Sequence, residues 1–288
     1  MGIDARTPVP TASGWVPAKL LKAGDTVYTY DGKPTKVSVV QLYTPKECYK
    51  ARLQEGLTLV GDLRTKLPTI DLKQLKGRMF WSRVQAQRKP VSIRPKSMDE
   101  LAEPSYLLNA KPLLYPERDL PVNPYELGRW IFMMGPKKRA SRTDITRNLI
   151  ERYPTIPHYI PDEYMFSSFE QRLALLRGIF ADRPNCYKAR GRLFQYGSRD
   201  LRQVRQVQNL LESMGIHTRI RCGTINSLFF RTFLRISEQQ EAKLKSPSIE
   251  FRRIVEIFPV EPRECAYIKT NSPSNTLVMG EGFLCVTL

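Results

Sequence analysis

The stretch SFEQRLALLRGIFADRPNCYKARGR, Ser168–Arg192, decides how the chain is read. Leu173 to Phe180 has the apolar density of a tightly packed helix, and Ser168-Phe169-Glu170 is a fitting start for it. Where such a helix could end in an exposed acid, the chain instead gives Ala181-Asp182-Arg183-Pro184. A basic run with interleaved aromatics follows at once.

Working outward, SRDLRQVRQVQNLLESMGIHTRI places Leu201, Val204, Val207, Leu210 and Leu211 on one helical face and Arg202 and Arg205 off it, with a stop at Gly215. Short strands surround that helix: GRLFQYGS before it, HTRIRCG and LFFRTFLRIS after it. Upstream, NPYELGRWIFMMG reads as a helix capped by Asn123 and stopped at Gly135. The first hundred residues are β-rich, with one hairpin around Asp31-Gly32 and a second strand pair around Glu55-Gly56. Prolines and polar residues between Lys89 and Pro124 predict a linker region. After Pro247 the β character returns. The expected class is α+β: a β-rich domain, residues 1–110 and 249–288, split by an inserted α/β domain, residues 111–248.

Composition narrows the function. Lys and Arg number 46 against 28 Asp and Glu, a net charge of +18, which favours polyanionic partners. Residues 251–288 contribute none of the excess. It concentrates in Arg64–Lys96, where Lys73, Lys76 and Arg78 stand, and in Arg183–Arg221. No apolar run is long enough to span a bilayer, and the first residues carry no secretory signal, so a cytoplasmic or virion location is expected. The five cysteines are scattered and never form a C-x-x-C pair, and there are only two histidines, so reduced thiols are expected rather than a zinc site or disulfide framework. No cofactor is expected.

In their order along the chain, these segments together resemble an intein: a Hint self-splicing domain carrying a LAGLIDADG-type homing-endonuclease insert. TPVPTASGWVPAKLLKAGDTVYTYDGKPTKV is similar to the Hint opening, and RRIVEIFPVEPRECAYIKTNSPSNTLVMGEGF to its closing strands. PYELGRWIFMMG and the helix entering ADRP are similar to the two LAGLIDADG helices. The resemblance implies a Cys or Ser nucleophile at the first intein position, which matches Gly2, and a Thr and a His that match Gly61 and Arg64. It implies a terminal His-Asn pair, which matches Thr287-Leu288. It implies a Mg²⁺-binding acid at the end of each helix; these match Met133 and Arg183, with Asp182 one residue early. The basic residue it implies before an I-P pair matches His158. Neither splicing nor cutting is therefore expected.

What the resemblance leaves is a fold that lays sheets into a DNA major groove, with basic side chains tracking phosphates. The residues expected there are Lys137, Lys138, Arg139 and Arg142 after the first helix, and Lys188, Arg190, Arg192, Arg199, Arg202 and Arg205 after the second. The leading expectation is a catalytically inactive protein that binds nucleic acid, duplex DNA before RNA, as an accessory or structural subunit of a phage or mobile-element machine. Two other readings stand beside it. One is a free-standing endonuclease with a shifted Mg²⁺ site around Asp182, Asp144 or Glu126. The other is a scaffold docking a protein partner in a larger assembly. No membrane partner is expected.

Overall fold

A computed structural model describes residues 2–53, 56–70, 93–101, 105–131, 159–180, 186–189, 193–198, 200–216, 218–221, 226–231, 251–274 and 276–287. The chain divides into two compact units, Met1–Leu113 with Ala242–Leu288, and Leu114–Glu241.

The first unit is almost entirely sheet. Its strands are β1 (Ile3–Asp4), β2 (Pro8–Thr11), β3 (Gly14–Pro17), β4 (Thr26–Tyr28), β5 (Pro34–Tyr43), β6 (Cys48–Leu53), β7 (Thr58–Asp62), β8 (Lys66–Ile70), β9 (Ile93–Ser97) and β10 (Ser105–Leu108). After the second unit come β15 (Phe251–Val260), β16 (Cys265–Thr270), β17 (Thr276–Met279) and β18 (Leu284–Thr287). Twelve of these form one sheet in the order β17-β18-β8-β10-β15-β6-β7-β1-β16-β5-β4, with β9 paired to β8; β2 and β3 make a separate hairpin. The Asp31-Gly32 hairpin forms as read, with Thr26 opposite Lys36 and Tyr28 opposite Pro34. Gln54 and Glu55 of the second pair lie outside the described residues, and β6 and β7 flank them in antiparallel register. Ile3, Val27, Ala51, Leu59, Ile254 and Ile268 are among the fully buried side chains of one continuous core.

The expected linker between Lys89 and Pro124 is corrected in part. β9 and β10 lie within it, and β10 joins β8 to β15 in the main sheet. A proline hid β9: Pro95 sits opposite Pro68 in the β8–β9 ladder, and proline is tolerated on an edge strand such as β9 because no further ladder needs its missing N–H. Residues 109–123 carry no regular element.

The second unit holds α1 (Pro124–Ile131), a short α2 (Asp162–Met165), α3 (Phe169–Phe180) and α4 (Leu201–Ser213). Its strands β11 (Cys186–Ala189), β12 (Leu193–Ser198), β13 (Thr218–Arg221) and β14 (Asn226–Arg231) form an antiparallel sheet in the order β11-β12-β14-β13. The Asn123 carboxamide accepts from the Tyr125 N–H at 2.9 Å, and Pro124 takes the first helical position, where a missing N–H costs nothing. Gly135 lies outside the described residues. α3 opens on a reciprocal capping box: Ser168 N–H donates to Gln171 Oε1 at 3.1 Å, and Gln171 N–H to Ser168 Oγ at 3.3 Å. α4 starts on the Asp200 carboxylate and ends in a Schellman turn, Ile216 N–H to Leu211 O and Gly215 N–H to Glu212 O, both 2.9 Å. Val204, Val207, Leu210 and Leu211 face inward as read; Leu201 does not, being 42% exposed at the helix's first position, ahead of the packed turns.

α1 and α3 cross backbone to backbone. A Cβ on Gly128 would stand 2.2 Å from the Leu175 carbonyl oxygen, and one on Gly178 would stand 2.0 Å from that of Tyr125. Beside them, Arg172 is fully buried. Its Nε donates to Ser167 O at 2.9 Å, its Nη1 to Ser213 O at 2.9 Å and Ser213 Oγ at 2.6 Å, and its guanidinium lies 4.8 Å from the Tyr115 ring centroid. α3 is thereby tied to the end of α4.

Candidate functional site

In the first unit, Gly2 and Gly61 are brought together. Ile3 pairs with Gly61 across β1 and β7, and the Gly2 carbonyl oxygen accepts the Asp62 N–H at 2.9 Å and the Thr65 hydroxyl at 2.7 Å. Neither glycine borders open space. A Cβ on Gly2 would meet Tyr43 Oη at 2.7 Å, Tyr43 Cε1 at 2.8 Å and the Ala266 carbonyl oxygen at 3.1 Å. A Cβ on Gly61 would meet Thr65 Oγ1 at 2.6 Å and Gly2 O at 3.0 Å. Two hydroxyls from elsewhere in the chain occupy the room that side chains at these positions would need.

Asp62 holds both hydroxyls. Tyr43 Oη donates to Asp62 Oδ2, and Thr65 Oγ1 lies 2.9 Å from Asp62 Oδ1, its single proton serving either that oxygen or the Gly2 carbonyl. Burial pushes the Asp62 carboxyl up, but the hydrogen bonds donated to it, that of Tyr43 foremost, outweigh burial and hold it below the ordinary carboxylate range. Tyr43 moves far the other way, through burial first and then the carboxylate it bonds. A weakened base beside a weakened acid keeps the Tyr43 proton on its oxygen, and the Thr65 hydroxyl and Asp62 N–H secure the Gly2 carbonyl. Nearby Asp4 is also held low: burial raises it, and Arg6 and Arg263, bonded at 2.9 to 3.3 Å, more than offset that.

Arg64 is exposed in the turn between β7 and β8. Thr287 ends β18 opposite Lys66, one residue from the Thr65 that bonds Gly2. Residues 2 and 287 therefore converge on Thr65-Lys66. Leu288 lies outside the described residues. Tyr43, Asp62 and Thr65 were missed by sequence reasoning; Asp62 sits inside the GDLR stretch, between the two positions the resemblance singled out.

In the second unit, Met133, Asp144, His158, Asp182 and Arg183 lie outside the described residues, as do Lys137, Lys138, Arg139, Arg142, Arg190, Arg192 and Arg199; so do Lys73, Lys76 and Arg78 of the first unit. Methionine and arginine, the residue types at the two positions that the resemblance matches to acids, offer Mg²⁺ no carboxylate, and no group of three or more His, Cys, Asp or Glu suited to a metal ion gathers among the described residues. Those residues do not fit the ion. Glu126 Oε2 is buried in the first turn of α1 without a hydrogen-bond partner among the described residues.

The described basic residues divide by layer. Arg202 and Arg205 sit on α4, which packs on β12, β13 and β14. Arg202 is largely exposed; it pairs with Asp200 at 3.4 Å and lies 4.7 Å from the Tyr159 ring centroid. Arg205 Nη1 donates to Gln208 Oε1 at 3.1 Å. Tyr196 and Thr218, each 1% exposed, mark the sheet parity that α4 and α3 cover: Phe180 meets the Tyr196 ring, and Glu212 of α4 accepts both the N–H and hydroxyl of Thr218. The other parity carries the register rows Gln195–Phe229–Arg219, Gly197–Ser227–Arg221 and Leu193–Arg231. Lys188 pairs with Phe194, in the covered parity. Arg219, Arg221 and Arg231 were not singled out from the sequence, although the spacing of Arg219 and Arg221 is the strand period.

No family model matches the chain. Among curated proteins it is similar to the replicative DNA helicase DnaB of Mycobacterium intracellulare, 24% identical over 311 aligned positions that cover 96% of this chain and 51% of that protein. The chain thus spans about half the length of the curated relative it matches. Among solved structures it is similar to a DnaB intein from Synechocystis sp. (11% identity, TM-score 0.40, covering 99% of this chain and 96% of the other) and to the Msm DnaB1 intein splicing domain bound with zinc (9%, 0.40, 99% and 99%).

Proposed function

We propose that this chain, which is intein-like and similar to DnaB inteins, is an intein-derived protein that no longer splices or cuts and that binds nucleic acid, duplex DNA before RNA. Its Hint-like part is residues 1–110 and 249–288, and its LAGLIDADG-like part residues 111–248. Loss of splicing is supported by the packed pocket at Gly2 and Gly61: the nucleophile's position has no side chain and no room for one. The LAGLIDADG-like origin is supported by the glycine crossing of α1 and α3. The binding half rests on one observation. The four-stranded sheet has one parity covered by helices, and its other parity carries the register positions of Arg219, Arg221 and Arg231. A sheet face with cations at the strand period suits a polyanion's phosphates. A role as an accessory or structural subunit of a phage or mobile-element machine completes the proposal.

The test is binding of the purified chain to duplex DNA, single-stranded DNA and structured RNA across a salt series, with Mg²⁺ added last. Duplex affinity should fall steeply with salt, and the DNA should stay intact. The joint Arg219→Ala and Arg221→Ala variant should flatten the slope of log K against log salt by roughly 2, at about 0.9 per lost phosphate contact. Mg²⁺-dependent cutting would overturn the loss of nuclease activity. Absence of binding to all three would overturn the reading and leave a protein-docking scaffold in its place.

A further inference from the structure

The five cysteines, scattered in sequence, are not all scattered in space. Cys48 opens β6 and Cys265 opens β16; 217 residues separate them, and their sulfurs lie 4.0 Å apart with both side chains fully buried. The path that joins them is short. Val260 pairs with Cys48 at the end of β15, and the chain then turns directly into Cys265, leaving the Arg263 carbonyl oxygen 3.9 Å from Cys48 Sγ. Cys265 is also held by its register with Asp4 of β1 and Tyr43 of β5. The sulfurs need about 2 Å of approach to reach bonding distance, which rotation about the two Cα–Cβ bonds can share.

We infer that Cys48 and Cys265 form a modification site: a thiol pair that a small peroxide converts to a disulfide, cross-linking the starts of β6 and β16 beside the Gly2 pocket. This rests on the geometry of the first unit and not on the nucleic-acid reading. The step balances with hydrogen peroxide as oxidant. One sulfur, as thiolate, attacks a peroxide oxygen and becomes a sulfenic acid as water leaves. The second sulfur then attacks the first; the S–S bond forms and a second water leaves. Two electrons pass from the thiols to the peroxide. Burial first, and then the neighbouring Cys48 sulfur, push Cys265 well above the ordinary thiol range. The buried Cys265 therefore stays protonated, and oxidation proceeds through brief opening of the strand starts, which admits peroxide more readily than a bulky disulfide reagent.

The test exposes the whole reduced chain to hydrogen peroxide for increasing times below its melting temperature. It then blocks free thiols in denaturant and reads intact mass and a non-reducing tryptic map. The expected result is loss of two of the five thiols. The map should contain a reducible species joining Glu47–Lys50 to Glu264–Lys269, absent from Cys48→Ser and from Cys265→Ser, and the oxidised chain should melt at a higher temperature. Retention of all five thiols, over-oxidation of Cys48 or Cys265 without a cross-link, or pairing of either with another cysteine would overturn the inference.

Discussion

Gly2 and Gly61 stand where Tyr43 and Thr65 fill the space beside them, and that makes a side chain at either position costly to add. Gly2→Ala should destabilise the chain by about 1–3 kcal/mol, the ordinary cost of overpacking, and the loss should shrink in a Tyr43→Ala background where the obstructing ring is gone. Chemical denaturation of the four chains measures both. Asp62 sets the acid limit of the same cluster. Its folded pKa lies below its unfolded value, so its contribution is fully present above the ordinary carboxylate pKa of about 4 and is lost as pH falls through the folded value. Melting temperature against pH should therefore fall less steeply below about pH 4 in Asp62→Asn than in the parent chain. At this scale the sequence was half legible. The resemblance singles out positions 2 and 61, which the fold brings together across β1 and β7. Tyr43 and Thr65 could not, because what makes them important is a contact across strands that a one-dimensional reading does not contain.

Between residue and whole molecule, the helices were read well where local chemistry dictates them. Asn123, Ser168 and Gly215 each cap or stop a helix with a side chain or backbone suited to it, and no distant partner is needed. Arg172 was not legible: a cation inside an apolar helix reads as surface, and only the tertiary fold supplies its two serine carbonyls and the tyrosine ring. β9 escaped for a related reason, since Pro95 argues against strand until the edge position is known. The glycine crossing makes the sharpest prediction here. Gly178→Ala puts a methyl 2.0 Å from a carbonyl oxygen that belongs to backbone and cannot rotate aside. It should cost about 3 kcal/mol or more, whereas Leu201→Ala, at the exposed first position of α4, should cost well under 1 kcal/mol. Denaturant midpoints of the two variants decide it.

For the whole molecule, the division into two compact units means that the crossing and the Gly2 pocket belong to different cores. Gly178→Ala should lower the stability of one unit and leave the other's unchanged, so the variant should show an earlier unfolding phase that the parent chain lacks at that temperature, by fluorescence and circular dichroism. The basic excess belongs to this scale too. Charge was readable from composition, but its arrangement was not, because strand register decides which arginines share a face. The convergence of residues 2 and 287 on Thr65-Lys66 has a mechanical meaning. Tension applied at these two points bears on one short stretch of chain. It meets first the few hydrogen bonds that hold β1 and β18 at that turn, one after another. Under a pulling load the first unit would part at this seam before the longer ladders from β10 to β6, because both points are anchored to the one turn.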